Sequence, residues 1–344
     1  MLTEQQIQEI RTHLEQCLNP LFFFDDDHDG LASYLLLMRR YRKGKGVCVK
    51  AALHDEEIYL KKIQQHKPDK IIFLDRAVLS QELLDHISVP VLWIDHHQPL
   101  ERERVLYYNP MVSSNLKDNR PTSHWCYLVS GNDQWIAAVG IVGDWHVPDF
   151  LQTFEYVELL DGKKTQPELL FESRIGKLVK IFNFILKGQN SESKKCINLL
   201  LKIDDPYEIL EQKTARGTFI YKRFQKVDKL YEKLLQKALA TKYDEHLYLF
   251  KYPSIKMSFT ADLANELLYR VKSRLIIIAR EKGDDVRISL RSNRIKVLPV
   301  LRKALEGIEG HGGGHDYACG AHVKVRDFAS FIEQLRQETH RSLC

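Results

Sequence analysis

Hydrophobic and polar positions in the first third of the chain form blocks that predict short strands separated by helices. Apolar runs at residues 21–24, 47–53, 71–74 and 91–94 are short and rich in β-branched or aromatic residues, as buried strands are. A helical pattern at residues 31–41 follows the first run. This order predicts a parallel sheet that is covered by helices.

The pattern changes to helix from about residue 150 to residue 240. Within this region, apolar residues recur at intervals of three and four and form one stripe, which we interpret as core packing. The members of the stripe are Val227, Leu230, Tyr231, Leu234, Leu235, Ala238 and Leu239.

Strand and helix patterns alternate again in the last third. Strands are predicted at residues 246–252, 275–279 and 286–290, helices at 261–271, 297–305 and 328–336, and a glycine-rich loop at 310–314. We therefore predict an α/β protein with a parallel-sheet domain, a helical connector and a smaller α/β domain. Their predicted bounds are 1–190, 191–242 and 243–344.

Composition narrows the class of protein. The chain has 344 residues, 44% of them hydrophobic, and no apolar run long enough to span a membrane. Its six cysteines include no Cys-x-x-Cys pair, which favours a reducing, cytoplasmic location. The net charge is only +5, but residues 174–242 contain 16 Lys or Arg and 7 Asp or Glu. This basic segment suggests a polyanionic partner, and the alternative is a solvated face of lysine-rich helices.

Acidic residues directly follow three of the predicted strands. They are Asp25-Asp26-Asp27-His28-Asp29-Gly30 after the first strand, Asp75 after the third, and Asp95-His96-His97 after the fourth. Because ligand sites collect at the carboxyl ends of strands in open α/β sheets, we expect these groups to meet at one edge. Asp144, at the end of an apolar helical run, is a further candidate.

Together these groups predict a site for two divalent metal ions. A cation would relieve the repulsion among the carboxylates, and Gly30 allows a tight backbone turn toward it. Ligation by carboxylate and imidazole without thiolate suits manganese or magnesium better than structural zinc. The predicted ligands are Asp27, Asp29, Asp75, His96, His97 and Asp144. The alternatives are a solvated acidic turn and a capped loop around the His–His pair.

The late motif Gly310-His311-Gly312-Gly313-Gly314-His315 is predicted to be a loop whose backbone amides hold a phosphate. His315 would donate a hydrogen bond to it, and Arg291, after the strand at 286–290, would add a bidentate contact. The alternative for a glycine-rich segment is a simple turn.

The order of these motifs resembles the DHH phosphoesterase superfamily. The matching motifs are Asp25-x-Asp27-x-Asp29-Gly30, Asp75, Asp95-His96-His97, Gly143-Asp144, Ser289-Leu290-Arg291-Ser292 and Gly312-Gly313-Gly314-His315. The first is similar to the motif of RecJ-type single-strand exonucleases, since Phe23 stands where the nanoRNase and cyclic-dinucleotide branches usually carry a histidine. Arg76 departs from the family, which commonly has a small residue there.

The resemblance implies a manganese-dependent phosphodiesterase with two Mn²⁺ ions, or Mg²⁺ in their place. Residues 1–190 would form the DHH catalytic domain, with Asp95 as a catalytic residue beside the ligands, and residues 243–344 the DHH-associated domain. The substrate-binding residues would be Arg291, Ser292, Gly312, Gly313, Gly314 and His315. We also expect a minimal form without the OB-fold that bacterial RecJ adds.

We predict that the protein hydrolyses single-stranded DNA or RNA from an end by a two-metal mechanism, with the basic segment along the nucleic-acid backbone. A second hypothesis is an enzyme for oligoribonucleotides, cyclic dinucleotides or nucleoside bisphosphates. A third is a replication or repair scaffold related to RecJ. A replication or repair protein partner and a homodimer are compatible with these hypotheses, and no membrane partner is expected.

Overall fold

The computed structural model describes residues 1–50, 56–115, 117–255 and 257–341. The chain divides into two compact units, Met1–Phe224 and Gln225–Cys344. The end of the strand predicted at residues 47–53 lies outside the described residues, as does Cys344. The predicted connector at 191–242 stays a prediction.

The first unit contains a sheet of five parallel strands in the order β2-β1-β3-β4-β5. Their bounds are Pro20–Asp25 for β1, Lys45–Val49 for β2, Lys70–Leu74 for β3, Val91–Ile94 for β4 and Leu106–Tyr108 for β5. The predicted parallel sheet is confirmed. The sequence pattern missed β5, a three-residue edge strand that begins with the exposed Leu106.

Twelve α-helices begin among the described residues of this unit, and the last continues into the second unit. They are α1 Glu4–Gln16, α2 His28–Tyr41, α3 Glu56–His66, α4 Gln81–His86, α5 Pro110–Ser113, α6 Thr122–Ser130, α7 Gln134–Gly143, α8 Gln166–Glu172, α9 Arg174–Leu186, α10 Asn190–Leu200, α11 Tyr207–Leu210 and α12 Ala215–Leu239. Short 3₁₀ helices lie at Leu151–Thr153 and Val157–Leu160 in this unit, and another lies at Val325–Asp327 in the second unit.

The central strands are apolar at consecutive positions because both faces of the sheet are covered. Successive side chains of a strand point to opposite faces. Phe24 stacks on Tyr34 of α2, with ring centroids 4.5 Å apart. Phe23, which points the other way, stacks on Phe73 of β3 at 5.3 Å. This double burial holds the ends of β1 and β3 side by side, with their acidic residues just beyond them.

The second unit contains a mixed sheet in the order β6-β7-β8-β10-β9. Only β6 and β7 are parallel, and the other neighbours are antiparallel. The strands are β6 Leu247–Pro253, β7 Leu275–Lys282, β8 Asp285–Arg291, β9 Gly310–His315 and β10 Ala318–Lys324. The helices are α13 Thr260–Arg270, α14 Val297–Ala304 and α15 Phe328–Arg341. The smaller α/β domain predicted from the sequence is therefore confirmed as a fold.

Two expectations about this part of the chain are wrong. The glycine-rich segment is not a loop but the edge strand β9, because its backbone pairs with β10 from Gly310 opposite Val323 to His315 opposite Ala318. In the apolar stripe of α12, Leu230 and Leu239 are exposed rather than part of the core. The buried face of α12 is narrower than the run of apolar residues indicates.

Within the described ranges, no helix combines the length and the apolar character needed to cross a membrane.

Candidate metal centre

The parallel register of the first sheet places three predicted acids at one edge. Asp25 is the last residue of β1, Asp75 comes directly after β3, and Asp95 comes directly after β4. Asp75 adopts a left-handed backbone conformation with φ of 58°, which turns the chain sharply at the strand end. The carboxyl ends of these strands therefore present their side chains to a common region.

Asp29 is a buried carboxylate held by the start of a helix. Its two oxygens accept hydrogen bonds from the backbone N–H groups of Thr122 and Ser123, at 2.8 and 2.9 Å. These N–H groups belong to the first turn of α6, where the helix dipole favours negative charge. Burial, with the added negative charge of Asp75, nevertheless raises the pKa of Asp29 to about 6. A positive ion nearby would therefore stabilise the ionised form.

Gly30 is required by close packing at the start of α2. A Cβ atom at Gly30 would lie 2.7 Å from the backbone nitrogen of Asp25. The Asp27 side chain caps α2 and accepts a hydrogen bond from the Gly30 N–H at 2.9 Å. The acidic motif is thus folded as a strand end followed directly by a helix cap.

His96 lies between two of the carboxylates. Its Nε2 is 3.4 Å from Asp75 Oδ1 and 3.5 Å from Asp144 Oδ2, and its Nδ1 is 3.0 Å from the carbonyl oxygen of Asn119. The Asn119 carbonyl can only accept, so it favours a proton on Nδ1 and leaves Nε2 as the nitrogen that could bind a metal. Burial opposes protonation, but Asp144 and Asp75 raise the pKa of His96 well above its ordinary value.

His97 is oriented by Asp95. Its Nδ1 lies 2.8 Å from Asp95 Oδ1, and its backbone N–H donates to the other carboxylate oxygen at 3.1 Å. Asp95 is fully buried, and the Asn109 side chain donates to the His97 carbonyl at 2.9 Å. Burial lowers the pKa of His97, but the hydrogen bond to Asp95 outweighs it and raises the pKa to about 9. The structure thus places Asp95 behind His97 as an orienting residue.

Asp144 is the C-cap residue of α7, and its position depends on Gly143 and His28. A Cβ atom at Gly143 would lie 1.5 Å from His28 Cδ2, so only glycine allows the imidazole to pack there. Burial raises the pKa of Asp144 to about 7, and Asp29 adds to this shift.

The ligand atoms fall into two groups that share His96. Asp75, His96 and His97 form one group, and Asp29, His96 and Asp144 form the other, with the ligand atoms of each group within 4.8 Å of one another. Among the described residues, Asp27 belongs to neither group; one of its carboxylate oxygens caps α2. Five of the six predicted ligands are therefore brought together.

Arg76 does not enter either ligand group. Its Nη1 pairs with Asp25 Oδ1 and lies 3.5 Å from the carbonyl oxygen of Val49. Burial and the negative charge of Asp27 raise the pKa of Asp25, although Arg76 opposes this. Arg76, which departs from the family pattern, thus offsets part of the negative charge of Asp25, the first acid of the first motif.

In the second unit, Arg291 is a partly buried cation that forms no ion pair with a carboxylate of the described residues. Its Nε donates to Asn265 Oδ1 at 2.7 Å, and its Nη1 donates to the carbonyl oxygens of Leu290 and Cys319 at 2.9 and 3.2 Å. Burial lowers the pKa of Arg291 to about 10. A partly buried positive charge held by neutral acceptors is suited to an anionic ligand.

The other predicted substrate-binding residues are placed differently from Arg291. Ser292 is buried, donates to the Arg274 carbonyl at 2.5 Å and accepts from the Ile295 N–H at 3.0 Å, so it organises the turn after β8. Gly312, Gly313, Gly314 and His315 lie on the edge strand β9. At Gly314, φ is 138° and a Cβ atom would approach the Ala318 carbonyl oxygen to 2.4 Å, so the fold itself requires glycine there.

Sequence reasoning missed the residues that hold the ligands in place. Thr122 and Ser123 are separated from Asp29 by more than 90 residues, and Asn265 is 26 residues from Arg291. The run Pro121-Thr122-Ser123 does predict the start of a helix. Nothing in the sequence indicates which carboxylate that helix would meet.

Comparisons with known proteins agree with this architecture. Residues 248–341 match the family model of the DHHA1 domain. The fold is similar to RecJ from Thermus thermophilus in complex with Mn²⁺, with a TM-score of 0.73, 19% identity, and coverage of 99% of this chain and 55% of that one. The chain thus spans about half the length of that RecJ. No curated protein sequence matches the chain.

Two further solved structures are similar to this chain. Exonuclease RecJ bound to manganese has a TM-score of 0.66 and 18% identity, and the match covers 99% of this chain and 96% of that one. The pGpG-specific phosphodiesterase PggH from Vibrio cholerae has a TM-score of 0.52 and 16% identity, with 94% and 99% covered. The predicted resemblance is confirmed at the level of the fold: the chain folds like RecJ, and residues 248–341 match the DHHA1 domain.

Proposed function

We propose that this chain is a metal-dependent phosphodiesterase that hydrolyses single-stranded DNA or RNA from an end. The observation that carries the proposal is the pair of ligand groups that share His96 at the edge of the first sheet. Paired divalent ions in phosphatases and nucleases assist the in-line displacement of a phosphate ester. The similarity of the fold to RecJ and to PggH supports phosphodiester chemistry.

The donor set fits Mn²⁺ or Mg²⁺. It consists of carboxylate oxygens and imidazole nitrogens without a thiolate. Asp29 and Asp75 are buried, and neither forms an ion pair with a Lys or Arg of the described residues. Bound ions would neutralise these charges, polarise the phosphate and lower the pKa of a nearby water. We propose Mn²⁺ as the working ion.

The chain's own residues orient the ligands. The first turn of α6 holds Asp29, the Asn119 carbonyl fixes the His96 ring, and Asp95 fixes the His97 ring. His97 Nδ1 is engaged with Asp95 and lies 3.9 Å from Asp75 Oδ1, so Asp95 determines how the ring faces Asp75. Hydrogen bonds of this kind preorganise a site, so little rearrangement is needed during the reaction.

We assign phosphate binding in the second unit to Arg291 and the outer edge of β9. Arg291 is partly buried, and its hydrogen-bond acceptors are the Asn265 amide and two backbone carbonyls, none of which carries a negative charge. The Gly312, Gly313 and Gly314 backbone lies on the edge strand without Cβ atoms that would keep an anion away. Both features favour a phosphate over a neutral ligand.

Product analysis on end-labelled strands tests the proposal. Wild-type protein should shorten a thirty-nucleotide strand with Mn²⁺ and be inactive with a chelator. His96→Ala should lose at least about 100-fold in activity, since even changes beside metal ligands typically cost 10–100-fold. His86→Ala is the matched control, because His86 is an exposed histidine on α4 that bonds only within its own helix. Equal activity of His96→Ala and His86→Ala would contradict the proposal.

A hydrolase for very short substrates is the second candidate, and the similarity to PggH over 94% of the chain favours it. A length series of labelled DNA and RNA, from the dinucleotide to thirty nucleotides, separates the two. An exonuclease keeps its kcat/KM on long strands, whereas a short-substrate enzyme loses activity as the strand lengthens.

A further inference from the structure

The basic segment predicted at residues 174–242 contains cations of three kinds. Some are engaged in ion pairs within the first unit. Arg216 Nε is 2.7 Å from Glu208 Oε2, and Arg223 Nη1 is 3.1 Å from Glu192 Oε2. These cations stabilise the helices around them and have little charge left to offer a partner.

Other cations of the segment lie over aromatic rings. Lys177 Nζ is 5.0 Å from the Tyr221 ring centroid, and Lys195 Nζ is 4.3 Å from that of Phe219. Such cation–π contacts also hold the charge close to the surface of the protein.

A third kind extends along α12. The lysine stripe consists of Lys222, Lys226, Lys229, Lys233 and Lys237, which recur at intervals of three or four residues and so share one helix face. All five are exposed. None of the five forms an ion pair with another residue in the part of the chain that the structure describes.

The rest of α12 explains why the stripe faces solvent. Val227, Tyr231, Leu235 and Ala238 are buried and lie on the opposite face. The acids of α12 are Asp228, about 100° around the axis from Lys229, and Glu232, which is three residues after Lys229 and about 60° from it. Glu232 therefore borders the stripe, and the five lysines outnumber this one bordering carboxylate.

The dimensions of the stripe suit an extended polyanion. Fifteen residue steps separate Lys222 from Lys237, so the row is about 22 Å long at the helical rise of 1.5 Å per residue. Lysines are flexible point charges that neutralise phosphates without reading bases. An amphipathic helix that lies on a membrane presents its apolar face to lipid, whereas the apolar face of α12 is buried within the protein.

We propose that the lysine stripe binds the sugar–phosphate backbone of single-stranded nucleic acid, so that long strands bind more tightly than short ones. The inference rests on the proposed function, and it adds that the enzyme should prefer long strands to short ones. A dinucleotide has one internal phosphodiester and cannot occupy five lysines spread over about 22 Å. A thirty-nucleotide strand can.

The test compares two variants of the full chain with equal net charge. Lys226→Gln/Lys229→Gln/Lys233→Gln neutralises the middle of the stripe, and Lys61→Gln/Lys67→Gln/Lys164→Gln changes three exposed lysines outside α12, in the first unit. Binding to a labelled thirty-nucleotide DNA is measured by fluorescence anisotropy, with chelator present, between about 50 and 200 mM salt. Melting temperatures show that both variants are folded.

The stripe variant should bind at least about 10-fold more weakly at low salt than the control, and its slope of log K against log salt should be smaller by about 2, for three lost phosphate contacts. With Mn²⁺, its ratio of kcat/KM for the long strand to that for a dinucleotide should also fall. Equal affinities and slopes in the two variants would overturn the inference, as would loss of binding to anionic phosphatidylserine vesicles in place of DNA. Wild-type protein that binds strands but cleaves none would instead contradict the proposed function.

Discussion

The two sheets of this protein handle charge in opposite ways. At the carboxyl edge of the first sheet, acids are buried, and helix ends and backbone groups fix them before any ion binds. In the second unit, the corresponding charge is the partly buried cation Arg291, which is held by neutral acceptors, and the glycine strand β9 exposes backbone. A cation site is built by concentrating buried carboxylates, whereas an anion site needs a desolvated cation and accessible donors.

Metal binding at the first sheet should depend strongly on exact packing. The contact between Gly143 and His28 gives the most sensitive test of this expectation. Gly143→Ala places a methyl group against His28 and should displace Asp144, with a loss of up to about 100-fold in Mn²⁺ affinity. The double variant Gly143→Ala/His28→Ala removes the clash and should recover most of that affinity. Isothermal titration calorimetry on both proteins checks this. Equal affinities in the single and double variants would mean that the contact does not position Asp144.

The second unit should affect substrate binding without affecting the metal. Arg291→Ala should reduce kcat/KM by about 10–100-fold, the usual value of hydrogen bonds to a charged group. Its Mn²⁺ affinity should match that of the wild type. Arg291→Lys keeps the charge and should recover part of the loss. A fall in Mn²⁺ affinity in Arg291→Ala would show that the division of roles between the two units is incorrect.

Metal binding at the first sheet should be pH-dependent. Without metal, Asp29, Asp144 and His97 have pKa values raised to about 6, 7 and 9, so an incoming ion must displace protons. Mn²⁺ affinity should therefore increase about 10-fold between pH 6 and 8, with proton release visible in buffers of different ionisation enthalpy. A pH-independent affinity would contradict this.

The same raised pKa values determine how the stability of the metal-free protein depends on pH. Each group binds its proton more tightly in the folded state, so its contribution is present at low pH and is lost as the pH rises through the folded pKa. For Asp144 and His97, this loss extends to about pH 7 and about pH 9. The melting temperature of metal-free protein should fall over that window, and Mn²⁺ should reverse the fall.

Gly313 should give the smallest effect. A Cβ atom there has nothing within 4 Å, so Gly313→Ala should leave the melting temperature nearly unchanged. If the outer edge of β9 approaches phosphate, kcat/KM should fall by a few-fold. Gly314→Ala serves as the contrast, since its φ of 138° and its close approach to Ala318 predict a clear loss of stability. Equal melting temperatures for the two variants would contradict the assignment of β9.

Local patterns predicted the first sheet because its strands are buried on both faces and therefore read as apolar runs. The strands near Phe23 and Phe73 are examples. The same reasoning failed at β9, whose glycines have no side-chain pattern and form a strand only because β10 pairs with them. The apolar pattern also overestimated the width of the buried face of α12, because Leu230 and Leu239 are exposed. Helical spacing does not show how wide the surface packed against the helix is.

Part of the candidate site could likewise be predicted from the sequence, and part could not. Strand-end acids such as Asp75 and Asp95 could be placed at one edge from the sequence, because parallel strands end on the same side of a sheet. The resemblance to a known family added the order of the motifs. Which acids share an ion could not be derived, because Asp27 and Asp29 differ only in whether a helix cap or the start of α6 holds them.

The sequence by itself determined the fold class, the edge where the acids meet and the chemical types of their ligands, because these follow from strand burial and from residues close together in the chain. Only the tertiary structure decided that His96 belongs to both ligand groups, that Asp95 orients His97, and that Arg291 lacks a carboxylate partner among the described residues. These facts depend on contacts between segments that are far apart in the chain, and such contacts form only when the packed core brings those segments together.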